Sequence, residues 1–196
     1  MNINEIIKSQ ISESVDVKNK IYADEQLLDT IAKAASKITE CYKNGRMLLL
    51  CGNGGSAGDA QHIAGEMVAR FRIERKALSA LAFNTNSSVV TAIGNDYEYN
   101  KIFERQVEAF GHEGDVLIAI STSGNSESVV RAINKAKEMG ITTVSLLGKN
   151  GGDCKDISDY AIVVPSDDTA RIQESHIMIG HIICDLVERS MFGDLQ

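Results

Sequence analysis

The sequence predicts an α/β fold: a three-layer αβα sandwich around a five-stranded parallel sheet, with N-terminal helices and a long C-terminal helix. Three observations point there. Short apolar runs of strand length recur along the chain. The first three are each followed by a turn rich in glycine, serine or asparagine, and then by a helical pattern. Strands that alternate with helices need crossover connections, which give a parallel sheet covered on both faces.

Two helical segments come first. Asn4–Lys20 and Glu25–Asn44 mix apolar and charged residues, and Gly45 suits a C-terminal stop. The first strand, Leu48–Cys51, runs through a glycine loop into a helix over Ala60–Arg70. The second, Leu78–Phe83, leads through Asn84-Thr85-Asn86 into a helix near Ser87–Ile93. The third, Asp115–Ile120, leads through Ser121-Thr122-Ser123-Gly124-Asn125-Ser126 into a helix over Ser126–Met139. The fourth, Thr142–Leu147, is followed by Gly148-Lys149-Asn150-Gly151-Gly152. The fifth, Ala161–Val164, precedes Pro165. In the last helix, Thr169–Phe192, apolar residues such as Ile172, Ile179, Ile182 and Ile183 cover more than one stripe. That girth predicts burial against another element or another subunit. One domain, 1–196, is expected, with the helical segment 1–45 packing in an oligomer.

Composition narrows the function. At 196 residues with 43% hydrophobic and 24% charged residues, the chain suits one globular core. A net charge of −7 without a basic cluster argues against a nucleic-acid partner. Cys41, Cys51, Cys154 and Cys184 form no CxxC pair, so buried free thiols in a reducing cytoplasm are expected. The polar N-terminus does not read as a signal peptide. The apolar stretch Ile172–Met191 is broken by Glu174, His181, Asp185, Glu188 and Arg189, so no membrane span is expected.

The chemistry lies in the loops. In an open parallel sheet ligands bind beyond the carboxyl ends of the strands, where strand order switches. With the order 2-1-3-4-5, the loops after the first and third strands flank one crevice. The first, Cys51-Gly52-Asn53-Gly54-Gly55-Ser56, opens a helix N-terminus and is suited to an anion. The second offers four hydroxyls, at Ser121, Thr122, Ser123 and Ser126, where a helix cap needs only one. A phosphate held by neutral donors and a helix dipole follows. Gly52-x-Gly54-x-x-Ala57 also fits a permissive dinucleotide fingerprint, but the second strand ends in Phe83-Asn84-Thr85 without the acid a ribose requires.

Behind the glycine loop, His62 and Glu66 stand at i and i+4 on one helix face. The bland alternative is an exposed helical pair. On the terminal helix lie Gln173, Glu174, His176 and His181. Gln173 and His181 are eight residues apart, roughly 12 Å along a helix axis. To share one ion from one helix they would have to lean together, which points to a crevice built from more than one chain. Asn95 and Asp96 end the helix after the second strand, either as a simple turn or as partners for sugar hydroxyls. His112 reads as an exposed turn residue.

These motifs, in order along nearly the whole chain, resemble the sugar isomerase (SIS) domain family and, within it, the phosphoheptose isomerases. The matching stretches are Cys51–Ser56, Asp59-Ala60-Gln61-His62, Glu66, Gly94-Asn95-Asp96, Gly114-Asp115-Val116, Ile120–Ser126, Gly151-Gly152, and Ala170–Glu174 through His176 and His181. The resemblance implies a homotetramer with active sites at subunit interfaces. It implies conversion of D-sedoheptulose 7-phosphate to D-glycero-D-manno-heptose 7-phosphate, for lipopolysaccharide, capsule or another glycoconjugate. It implies substrate contacts from Asn53, Gly54, Gly55, Glu66, Asn95, Asp96, Ser121, Thr122, Ser123, Ser126 and Gln173. Implied ligands of one Zn²⁺ per subunit are His62, Glu66, Gln173 and His181, and the implied catalytic pair is Glu66 and His181. Ala170 departs from members that carry aspartate there, and Ala69 from those with glycine. Two other readings stay open: a non-catalytic relative of the replication-initiator-associating type, and an isomerase of another sugar phosphate.

Overall fold

The computed structural model describes residues 2–193. Five parallel strands run in the order β2-β1-β3-β4-β5, as the crevice argument requires. They are β1 (Leu48–Gly52), β2 (Ala80–Ala82), β3 (Val116–Ser121), β4 (Thr142–Leu147) and β5 (Tyr160–Val163). The helices are α1 (Ile3–Ala23), α2 (Glu25–Lys43), α3 (Gly55–Val68), α4 (Ser87–Asp96), α5 (Glu104–Phe110), α6 (Glu127–Glu138), α7 (Gly152–Ile157) and α8 (Thr169–Phe192).

Strand periodicity divides the interior into two cores. Leu48, Leu50, Val116, Ile118, Ile120, Val144 and Leu146 face one side, with α1, α2, α3 and α8. Leu49, Cys51, Leu117, Ala119 and Leu147 face the other, with α5, α6 and α7. Every residue of β1 and β3 is buried, as expected for central strands covered on both faces. The three expected layers are present.

Three differences from the sequence reading have local causes. Strand β2 is shorter than Leu78–Phe83, because the Leu78 N–H donates to the Met67 carbonyl instead of to the sheet ladder. Helix α3 starts at Gly55 rather than Ala60, because the glycine loop itself winds: the Ser56 and Ala57 N–H groups donate to the Asn53 and Gly54 carbonyls. The short helices α5 and α7, with a 3-10 turn over Tyr99–Lys101, stand where no element was expected. Six or seven residues are too few for helical periodicity to show.

Helix α8 is buried along Ile172, His176, Ile179, Ile183, Val187 and Glu188. It packs against α2 and lies side by side with α3. Gly180 makes the second contact possible: a Cβ there would stand 2.7 Å from the Ile63 side chain. Helix α1 rests on α8 but leaves an apolar face outward, with Ile3 76%, Ile7 50% and Ile11 60% exposed. All four cysteines are free and buried. Among the described residues, no helix is long and apolar enough to cross a membrane.

Candidate active site

The two loops flank the carboxyl ends of β1 and β3, which pair along Leu48–Gly52 and Val116–Ile120. No side chain caps the start of α3 at Gly54, which sits at φ 57. Nor does Ser126 cap α6 with its hydroxyl. That hydroxyl accepts from the Ser121 hydroxyl at 3.2 Å. Ser121 Oγ also accepts from the Gly124 N–H at 3.1 Å, and Ser123 Oγ from the Asn125 N–H at 3.2 Å. The serine loop thus coils around its own hydroxyls, and the simple N-cap reading does not describe it. Segment 150–154 holds it from behind. Asn125 Oδ1 accepts from the Asp153 N–H at 3.0 Å, and the Gly124 carbonyl accepts from the Cys154 N–H at 2.9 Å.

Asn53 is fixed from two sides. Its carboxamide donates to Ser128 Oγ at 3.0 Å and accepts from the Tyr99 hydroxyl at 2.9 Å. Tyr99 follows shortly after Asn95 and Asp96, which are exposed at the end of α4 and bonded to each other at 2.8 Å. The sequence reading did not single out Tyr99 or Ser128, and it named Asn125 within the serine loop without giving it a role. For Tyr99 and Ser128 the one signal was closeness to a motif.

On the helices, three groups converge. His62 Nε2 lies 3.0 Å from His181 Nε2 and 3.1 Å from Glu66 Oε1. The three ligand-capable atoms all fall within 4.8 Å of one another. The Glu66 side chain keeps 26% exposure and the His62 side chain 47%, so the cluster is open to solvent. Three sp² donors this close are at the spacing of a metal's corners. Zinc bonds of 2.0–2.1 Å put tetrahedral neighbours about 3.3 Å apart. The imidazole and carboxylate set also suits zinc. The residues present therefore fit a zinc ion.

Gln173 goes elsewhere. Its amide lies against Gly55, where a Cβ would stand 2.3 Å from Nε2. It is two helical turns from His181, and within one chain the structure does not bring it to the cluster. His176 serves the core: it is fully buried, and its Nε2–H donates to the Leu147 carbonyl at 2.9 Å. Burial lowers its pKa to about 4, although the Leu147 bond works the other way. Asp59, one turn before His62, has its pKa raised by burial, with His62 opposing the shift. His112 is exposed in a loop, as read from sequence.

Comparison with known proteins identifies the family and the fold. The SIS domain family matches residues 12–148. A phosphoheptose isomerase of Clostridium acetobutylicum is 57% identical over 188 residues, covering 96% of each chain. The solved phosphoheptose isomerase of Francisella tularensis superposes with a TM-score of 0.92 at 35% identity, over 96% of this chain and 100% of that one. The phosphoheptose isomerase GmhA of Neisseria gonorrhoeae gives 0.88 at 39% identity, over 95% and 99%. With the sheet order, the two crevice loops and the His–Glu–His cluster, these likenesses lead to one conclusion: the chain belongs to the SIS domain family and, within it, to the phosphoheptose isomerases.

Proposed function

We propose that the protein is an aldose–ketose isomerase converting D-sedoheptulose 7-phosphate to D-glycero-D-manno-heptose 7-phosphate, the first step towards activated heptose. One observation carries the mechanism: a carboxylate and two imidazoles converge, and two of the three stand on the helix that the glycine loop opens.

Isomerisation moves a proton between C1 and C2 through an enediol(ate), and needs a base at carbon and an acid at oxygen. Glu66 takes the proton from one carbon and returns it to the other. His181 moves protons at the sugar oxygens, in ring opening and at the carbonyl. Ser121, Thr122, Ser123 and Ser126 hold the phosphate. Asn53, Gly54, Gly55, Asn95, Asp96 and Gln173 orient the sugar. Oriented contacts of this kind convert binding into rate by fixing the reacting atoms.

His62, Glu66 and His181 would hold a zinc ion, with Gln173 as a fourth donor from a neighbouring copy. When bound, zinc would polarise the carbonyl and hydroxyl oxygens. The exposed apolar face of α1 supports a homotetramer with active sites at its interfaces. Buried free thiols support a cytoplasmic setting, and a surface glycoconjugate such as lipopolysaccharide or capsule is the proposed destination of the heptose.

The test is heptose-phosphate formation from sedoheptulose 7-phosphate, with chelator and with added zinc. The expected result is turnover by the wild type, and a loss of about 100- to 10,000-fold in kcat for Glu66→Gln. No turnover would remove the isomerase reading. Near-normal turnover by the variant would remove Glu66 as the base.

A further inference from the structure

Between α3 and β2 the chain runs without regular structure, yet it converges on one buried carboxylate. Glu188 of α8 accepts from the backbone N–H groups of Phe71, Arg72 and Ile73 at 3.0, 2.6 and 2.8 Å. It also accepts from Arg75 Nε at 2.9 Å. Each carboxylate oxygen takes two donors. The ion pair is sealed from water, with side-chain exposures of 2% and 1%. Consecutive peptide N–H groups ordinarily form a nest for an outside anion. Here the protein supplies the anion itself.

Arg75 turns its remaining nitrogens to the end of α3. They donate to the Glu66 carbonyl at 2.9 Å and the Met67 carbonyl at 2.8 Å. These carbonyls belong to the last turn, where intrahelical partners run out and a cation is favoured. One buried pair therefore ties α8, which carries His181, to the end of α3, which carries His62 and Glu66.

The loop so held lays the Phe71 ring on His181. The two rings stack with centroids 5.4 Å apart and planes 23° from parallel. His181 also meets His62, with ring centroids 4.9 Å apart, planes 61° from parallel and the two Nε2 atoms 3.0 Å apart. An imidazole packed against two ring neighbours has fewer rotamers open to it before substrate arrives, and that ordering is then not required in the transition state.

We infer that Phe71 is a positioning residue for the isomerisation, holding the His181 imidazole toward Glu66, and that the Glu188–Arg75 pair acts through it. The inference rests on the isomerase reading above. Phe71→Leu keeps apolar bulk but loses the flat ring, whereas Phe71→Tyr keeps the ring. The expected result is a fall of about tenfold in kcat for Phe71→Leu, near 1.4 kcal/mol of barrier. KM and melting temperature stay close to wild type, and Phe71→Tyr restores kcat.

A second readout does not depend on turnover. The chain has four histidines, so ring resonances in a histidine-labelled sample are few. The His181 ring protons are expected upfield in the wild type and in Phe71→Tyr, and to move downfield in Phe71→Leu. Glu188→Gln, if it folds, is expected to repeat the kcat loss; the two Phe71 variants decide the matter without it. An unchanged kcat, a loss confined to KM, a loss tracking melting temperature, failure of Phe71→Tyr to restore kcat, or unmoved His181 resonances would each overturn the inference. A wild type that does not act on sedoheptulose 7-phosphate would instead remove the isomerase reading, and the resonances would still report whether Phe71 positions His181.

Discussion

The two ends of α3 are finished in opposite ways. Its start, at Gly54 and Gly55, has no side-chain cap and lies at the carboxyl end of β1. Its last turn is closed by Arg75, which is itself held by a carboxylate with all its acceptor sites filled. The first turn already uses the Ser56, Ala57 and Gly58 N–H groups, so what the open end can offer a ligand is the preceding peptide N–H groups at Gly54 and Gly55. The closed end cannot bind anything, but it can hold His62, Glu66 and His181 in register. One helix thus separates recognition from positioning. Damage at one end should appear in binding, and at the other in stability and turnover.

The largest effect should come from the closed end. Glu188→Ala leaves the Arg75 guanidinium and three peptide N–H groups buried without their acceptor. Breaking a buried pair in this way costs about 3–5 kcal/mol, roughly a fifth or more of the stability of an ordinary domain. Chemical denaturation should show that loss. A cost below about 1 kcal/mol, the usual worth of an exposed pair, would mean that the clamp is not tight.

At the open end the expected effect is smaller and different in kind. A Cβ at Gly55 meets only the far end of the Gln173 side chain, which can swing away. Gly55→Ala should therefore leave stability within about 1 kcal/mol of wild type. Displacing a contact made equally to substrate and transition state raises KM by about tenfold with kcat little changed. Steady-state kinetics would show whether the two ends are separate in this sense; a fall in kcat alone would join them.

The smallest effect is a pH dependence of the closed end. Burial works to raise the Glu188 pKa, but the N–H groups of Ile73, Arg72 and Phe71, with the Arg75 side chain, outweigh it and hold the pKa below the usual glutamate value. The unfolded chain therefore takes up the proton first as pH falls. The contribution is complete above about 4.3, the ordinary glutamate pKa, and is lost as pH drops through the lower folded value. Melting curves through that acid range should be flatter for Glu188→Gln than for the wild type. Equal slopes would assign the acid sensitivity to other groups.

The contrast also explains what the sequence could reveal. The open end was legible because it is local: strand, glycines, serine and helix follow one another within ten residues. The serine loop was legible for the same reason, and so were five strands and their order. His62 and Glu66 share one helix turn, so their pairing was visible too. The closed end was not. Glu188 lies more than a hundred residues from the loop it holds, and a lone glutamate in a terminal helix looks like an exposed charge. Nothing in the sequence marks Phe71 out: it is one apolar residue between Arg70 and Arg72. His181 and Gln173 were singled out, but only the packing of α8 beside α3 shows that the first reaches His62 while the second reaches Gly55. Spacing along one helix shows that two groups are apart; which neighbour each one meets depends on the partner helix.

The four cysteines carry a practical consequence. Burial pushes the thiol pKa of Cys41, Cys154 and Cys184 up to about 12, and that of Cys51 higher still. The reactive thiolate is then scarce in the native protein, and reagents that need it find little to attack. Because all four sit inside the cores and none in a loop, the protein carries internal probes that stay silent until the structure opens. The rate at which a thiol dye labels the chain becomes a clock for unfolding, and ligands of the crevice can be ranked by how far they slow it.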